Sequence, residues 1–188
     1  MPLQTKHIPN IISVFRFVLV PPLVLALLDG SYRTAIYLFA VAGISDGIDG
    51  YLARHFHWTS RLGSILDPLA DKCLQVSAYI TLAWLGLLPV WLAVVVLLRY
   101  LVIVSGAVVY HLSFGRIEME PSVVSKINTF FQIMLVLLVI LDKAFYTFPG
   151  WVIEVFIFSV LATTLISGTV YVIIWSRRYA EGRKQLND

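Results

Sequence analysis

Four aspartates stand in sequence that is otherwise apolar enough for a membrane: Asp46 and Asp49 in GISDGIDGYLAR, and Asp67 and Asp71 in LGSILDPLADK. An ionised carboxylate inside a bilayer costs several kcal/mol, roughly 2.5–3.5 on insertion scales. Four of them in one stretch need compensation. At about 100° per residue, Asp46, Asp49, Gly50 and Ala53 share one face of a helix. Asp67 and Asp71 are four apart and share a face of the next one. A short loop between the two predicts an antiparallel pair whose carboxylates can meet near one membrane surface. Hard oxygen donors suit Mg²⁺ or Mn²⁺, not zinc. Mg²⁺ is ordinarily held by a few carboxylates plus waters and substrate phosphates, so a diphosphate is its natural companion.

Blander readings exist for each acid. Asp67-Pro68 could be an N-cap followed by proline at the first helical position. Asp71 could pair with Lys72. Asp46 and Asp49 could be the relay of a cation or proton transporter. None accounts for all four acids together with Gly50, Arg54 and Gly63. A transporter site is also expected near the bilayer midplane, on broken or repeated helices. Here the acids fall at span ends beside basic loops, and no inverted repeat is visible. Glycine lets a phosphate approach the backbone, and arginine offers phosphate oxygens a planar fork of donors.

The elements that must hold these residues are membrane helices. Of 188 residues, 59% are hydrophobic and 13% charged, where a soluble domain is nearer half apolar and a quarter charged. Apolar runs of about 20 residues recur along the chain. The expected fold is all-α and integral to the membrane, one domain over 1–188. Six spans are predicted: 10–28, broken at Pro21-Pro22; 34–54; 64–87; 89–111; 123–141; and 149–175.

Lys6, Arg54, Arg61, Arg116, Lys126, Arg177, Arg178, Arg183 and Lys184 fall on one side of these spans, and Arg33 and Lys143 on the other. The positive-inside rule puts both termini, and the ends of the spans that carry the aspartates, in the cytoplasm. In a bacterium that means the inner membrane. Trp84, Trp91 and Trp151 sit near span ends, as interfacial aromatics do. Gly43 and Gly47 give the second span a small-xxx-small spacing suited to close helix packing. The stretch after MPLQTKHIPN is too long for a signal-peptide core. The lone Cys73 is read as a packing residue. The pI near 9.1 belongs to basic membrane flanks and not to nucleic-acid binding.

The whole pattern is Asp46-x2-Asp49-Gly50-x2-Ala53-Arg54-x8-Gly63-x3-Asp67-x3-Asp71. It resembles the signature of the CDP-alcohol phosphatidyltransferase family at every fixed position, the eight-residue spacer included. The number of spans and the Pro9-Asn10 and Arg16 start are also similar to the family's. The resemblance implies phosphatidyl transfer from CDP-diacylglycerol to an alcohol with release of CMP. It implies that Asp46, Asp49, Asp67 and Asp71 hold the metal and that Asp71 is the general base. It implies donor contacts for Gly50, Ala53, Arg54 and Gly63, and a site opening to the cytoplasmic interface between the second and third spans. Homodimers are usual in that family.

The acceptor is less sharply written. Arg99 in the fourth span, Lys126 at the start of the fifth and Asn128 are the candidates for an anionic glycerol-type acceptor. Phosphatidylglycerophosphate synthases tend to show Gly-Lys-x-Lys-Thr where this chain has Ser125-Lys126-Ile127-Asn128-Thr129. That segment looks more like the Ser-Lys-x-Asn-Thr of eukaryotic-type cardiolipin synthases. One cation fewer fits a phosphodiester of charge about −1, such as phosphatidylglycerol, better than glycerol 3-phosphate at close to −2. The family often places an acid after the fourth-span arginine; here Tyr100 follows Arg99.

Overall fold

Long apolar runs punctuated by glycine make helices, and the computed structural model is all-helical over the residues it describes, 8–56, 63–114 and 123–185. The elements are α1 (Ile8–Leu28), α2 (Tyr32–Phe56), α3 (Gly63–Trp84), α4 (Val90–Phe114), α5 (Val123–Ala144) and α6 (Gly150–Gln185). Each predicted span has its helix. Two boundaries differ in kind. α1 runs unbroken through Pro21 and Pro22, because tertiary packing can override the lost backbone bond at proline. α6 continues about three turns past Trp175 into its basic tail.

Two helices, Val123–Ala144 and Gly150–Arg177, are long and apolar enough to cross a bilayer, and Val14–Leu28 and Val90–Gly106 are shorter apolar helices. Many large apolar side chains face outward, among them Val18, Leu25, Ile44, Leu101, Phe130 and Phe158. The buried set includes Arg16, Gln75, Arg99, Asn128 and Gln132. Apolar outside and polar inside is the distribution a lipid solvent favours. Trp84, Trp91 and Trp151 are exposed at helix ends.

The chain divides into two units. The first comprises 1–90 and 136–148. Within it α1 packs on both α2 and α3. Leu19, Leu23 and Ala26 of α1, Ala35, Phe39 and Ala42 of α2, and Ala70, Leu74, Ala78 and Leu82 of α3 are buried at helical spacing. The five alanines leave room for close backbone approach.

Gly30 and Gly86, both at φ +70°, close α1 and α3 in the same way. Ser31 N–H donates to Ala26 O and Gly30 N–H to Leu27 O; Leu87 N–H donates to Leu82 O and Gly86 N–H to Ala83 O. These are Schellman ends, which place the αL residue where glycine has no Cβ penalty.

The second unit comprises 91–135 and 149–188. Its buried face on α4 carries Leu92, Val96, Arg99 and Tyr100, that on α5 Asn128, Gln132 and Leu135, and that on α6 Val160, Thr164 and Ser167. Nearer the C-terminal ends of α4 and α6, Gly106 faces the Trp175 indole. A Cβ on Gly106 would stand 2.6 Å from indole Cδ1 and Nε1. Gly106→Ala is therefore expected to lower thermal stability in detergent, at the ~1–3 kcal/mol of an overpacked contact. In a Trp175→Ala background the same change should become stabilising, since only the helix propensity difference of about 1 kcal/mol remains. Thermal melts of the four proteins check the sign reversal.

Candidate active site

The acidic motif lies on α2 and α3. Asp46, Asp49, Gly50, Ala53 and Arg54 fall in the last three turns of α2, and Gly63, Asp67 and Asp71 in the first turns of α3. Both helices pack on α1 within the first unit, so the two halves of the motif ride on elements held by a common neighbour. The side chains of these residues lie outside the described set, as does residue 57–62 backbone between the helices. Among the described residues no His, Cys, Asp and Glu cluster could hold a metal. The N-cap reading of Asp67 does not stand. α3 begins at Gly63, four residues earlier, so Asp67 is inside the helix.

α1 contributes a residue that sequence spacing left without a role. Arg16 is a buried cation on the helix that carries both acidic helices, and it has interaction partners in the structure. A cation in a bilayer interior is costly without negative or polar neighbours.

The second unit holds a polar interior to which α4 gives Arg99 and Tyr100, α5 gives Ser125, Asn128 and Gln132 at i, i+3, i+7 spacing, and α6 gives Thr163, Thr164 and Ser167. Arg99 is only 4% exposed. Its Nε donates to Ser167 Oγ at 3.2 Å and its Nη2 to Ser125 Oγ at 2.7 Å. Its Nη1 is buried with no hydrogen-bond partner among the described residues. Asn128 is fully buried. Its Oδ1 lies 2.9 Å from Thr164 Oγ1 and 2.8 Å from Thr163 Oγ1, and its Nδ2 has no partner among the described residues. Tyr100 donates to Gln132 Oε1 at 3.0 Å, and Gln132 Nε2 to Thr164 Oγ1 at 3.4 Å.

Arg99 meets the Tyr100–Gln132–Thr164–Asn128 series at the Tyr100 ring, 5.3 Å from its guanidinium carbon. Lys126 does not enter it. Its side chain is exposed, because one residue on from Ser125 turns it by about 100° toward the outer face. Two buried donors left open, one on a cation, beside polar groups that among the described residues are neutral: this arrangement suits an anion with more than one oxygen acceptor. The hydroxyls of Thr164 and Ser167 were not legible as site residues, although Val160-x3-Thr164-x2-Ser167 marks one face of α6.

The family model for CDP-alcohol phosphatidyltransferase matches residues 6–175. The cardiolipin synthase (CMP-forming) of Rattus norvegicus is 33% identical over 69% of this chain and 48% of that protein. A chloroplastic CDP-diacylglycerol--glycerol-3-phosphate 3-phosphatidyltransferase of Oryza sativa subsp. japonica is 32% identical over 87% of this chain and 55% of its own length. A probable phosphatidylglycerophosphate synthase of Mycobacterium tuberculosis is 38% identical over 69% of this chain and 63% of that protein. The chain spans about half the length of the curated relatives it matches.

Proposed function

Because the chain belongs to the CDP-alcohol phosphatidyltransferase family, we propose that it transfers the phosphatidyl group of CDP-diacylglycerol to phosphatidylglycerol, forming cardiolipin and CMP. The observation that carries the reaction is the complete acidic motif on two helices seated on α1. Support for a phosphodiester acceptor comes from the second unit. Among the described residues its buried interior offers one cation, Arg99, and a neutral amide, Asn128, while Lys126 faces outward. The competing acceptor is glycerol 3-phosphate, named in the rice relative.

In this reading the chain crosses the membrane six times with both termini in the cytoplasm. The acceptor hydroxyl oxygen attacks the phosphorus that bears diacylglycerol. Its proton passes to the Asp71 carboxylate. The bond to the CMP oxygen breaks, and CMP leaves with the electron pair. Asp46, Asp49, Asp67 and Asp71 offer the all-oxygen donor set that Mg²⁺ or Mn²⁺ takes. When bound, such an ion offsets negative charge that builds on the diphosphate. Gly50, Ala53, Arg54 and Gly63 hold the cytidine diphosphate: the small residues admit the phosphates to the backbone, and Arg54 forks onto their oxygens. Arg99 and Asn128 engage the acceptor's phosphate.

The test is CMP release from CDP-diacylglycerol in detergent against a panel of phosphatidylglycerol, glycerol 3-phosphate, inositol phosphate and serine, products resolved by mass. Cardiolipin is the expected product. Chelation of divalent ions should stop CMP release and readdition of Mg²⁺ or Mn²⁺ restore it. No CMP with any acceptor in the presence of metal would sink the enzymatic reading and favour a cation path through the acid cluster. Product from glycerol 3-phosphate alone would replace the acceptor.

A further inference from the structure

Three hydrogen bonds in the second unit run head to tail. Tyr100 O–H donates to Gln132 Oε1, Gln132 Nε2 donates to Thr164 Oγ1, and Thr164 O–H donates to Asn128 Oδ1. The series ends on Asn128 Nδ2, which is buried and, among the described residues, has no partner. Hydroxyls and amides can each be turned over, so such a series could run either way. Here its start has a fixed polarity. Tyr100 lies beside Arg99, whose guanidinium carbon is 5.3 Å from the phenol ring centroid. A guanidinium has donors only. Its field turns the phenol oxygen toward the cation and the proton away, toward Gln132. Each later group then has one choice. Gln132 accepts through Oε1 and must donate through Nε2; Thr164 accepts and must donate to Asn128. An amide whose carbonyl is so held can present only its NH₂.

Thr163 reaches the same carbonyl, but a hydroxyl has one proton. Thr163 Oγ1 also lies 2.7 Å from Ser159 O and 3.2 Å from Val160 O of its own helix. Among the described residues, Thr164 has Asn128 Oδ1 as its acceptor. The orientation of the amide therefore depends on Thr164 far more than on Thr163.

We propose that Tyr100, Gln132 and Thr164 are positioning residues that lock Asn128 as a hydrogen-bond donor, so that Asn128 Nδ2 and Arg99 Nη1 together read the non-bridging oxygens of a phosphodiester. This rests on the acceptor reading above and names what sets its selectivity. An ionised carboxylate in place of Tyr100 could only accept. It would take Gln132 Nε2, reverse the series and turn the Asn128 carbonyl outward, against the phosphate. The tyrosine is thus what makes a neutral amide usable where an anion binds.

The experiment compares Thr164→Val, Thr164→Ser and Thr163→Val with the wild type. The probe is dioctanoylphosphatidylglycerol. One arm measures thermal stabilisation by the probe without donor or metal, and the other CMP release with donor and metal. In Thr164→Val the half-saturating probe concentration and the acceptor KM should rise about tenfold, as for one lost hydrogen bond to a charged group. kcat and the CDP-diacylglycerol KM should stay within about twofold. Thr164→Ser keeps the hydroxyl and should match the wild type, and so should Thr163→Val. The proposal is overturned if Thr164→Ser is as impaired as Thr164→Val, if Thr163→Val is equally impaired, or if the probe does not stabilise the wild type. A wild type that binds the probe yet releases no CMP refutes the enzymatic reading alone, and the thermal arm still decides the role of Thr164.

Discussion

Asp71→Asn is expected to reduce CMP release by about 10²–10⁴-fold, the contribution of a positioned general base, while CDP-diacylglycerol still binds. Asparagine keeps the size of the side chain and one carbonyl oxygen able to approach a metal. It cannot take a proton from a hydroxyl. The variant separates two duties that the motif assigns to one residue. If Asp71 were only a metal ligand, its loss would weaken metal binding, and raised Mg²⁺ or Mn²⁺ would recover much of the rate. If it is the base, the rate stays low at saturating metal. Thermal stabilisation by CDP-diacylglycerol measures binding apart from turnover. Near-normal turnover would remove Asp71 from the base role. Recovery by added metal would move it into the ligand set alone.

The acidic motif and the buried network were legible to different degrees, for a physical reason. Helix existence follows from apolar length, so all six elements could be read from the sequence. Their ends could not be read as well. Pro21 and Pro22 lie within α1 because packing sets the local outcome there, and α6 runs into a basic tail that a hydropathy window cuts off. Charged residues in an apolar chain announce themselves, which is why the aspartates and Arg99 stood out. Threonines do not. In an apolar helix the default for a threonine hydroxyl is its own helix's i−4 carbonyl, and Thr81, Thr129 and Thr169 do that. Thr164 instead reaches across to Asn128. Only the packing of α6 against α5 distinguishes it from the others. Lys126 illustrates the reverse case: sequence gives it the same standing as Asn128, and its place on the helix surface separates them.

Arg99→Met should lower acceptor use by about 10–100-fold, the range for charge-assisted hydrogen bonds to a phosphate, and should raise thermal stability or leave it unchanged. The two signs follow from one fact. Arg99 is buried with neutral hydroxyl partners, Ser125 and Ser167, and with Nη1 open among the described residues. A cation held this way keeps part of its desolvation cost, and an apolar side chain of similar length removes it; replacing buried charges so is often neutral or stabilising, by ~1–4 kcal/mol. An arginine kept for the fold would behave oppositely, losing stability on replacement. Arg99→Lys gives the second comparison. It retains the charge but has no planar fork to reach Ser125, Ser167 and a phosphate together, so acceptor KM should fall between those of wild type and Arg99→Met. Thermal melts without ligand, and acceptor and donor KM measured separately, decide the matter. A rise in acceptor KM with an unchanged donor KM and an undiminished melting temperature marks Arg99 as an anion-binding group. A lowered melting temperature with both KM values raised together would mark it as a structural one and withdraw it from the acceptor site.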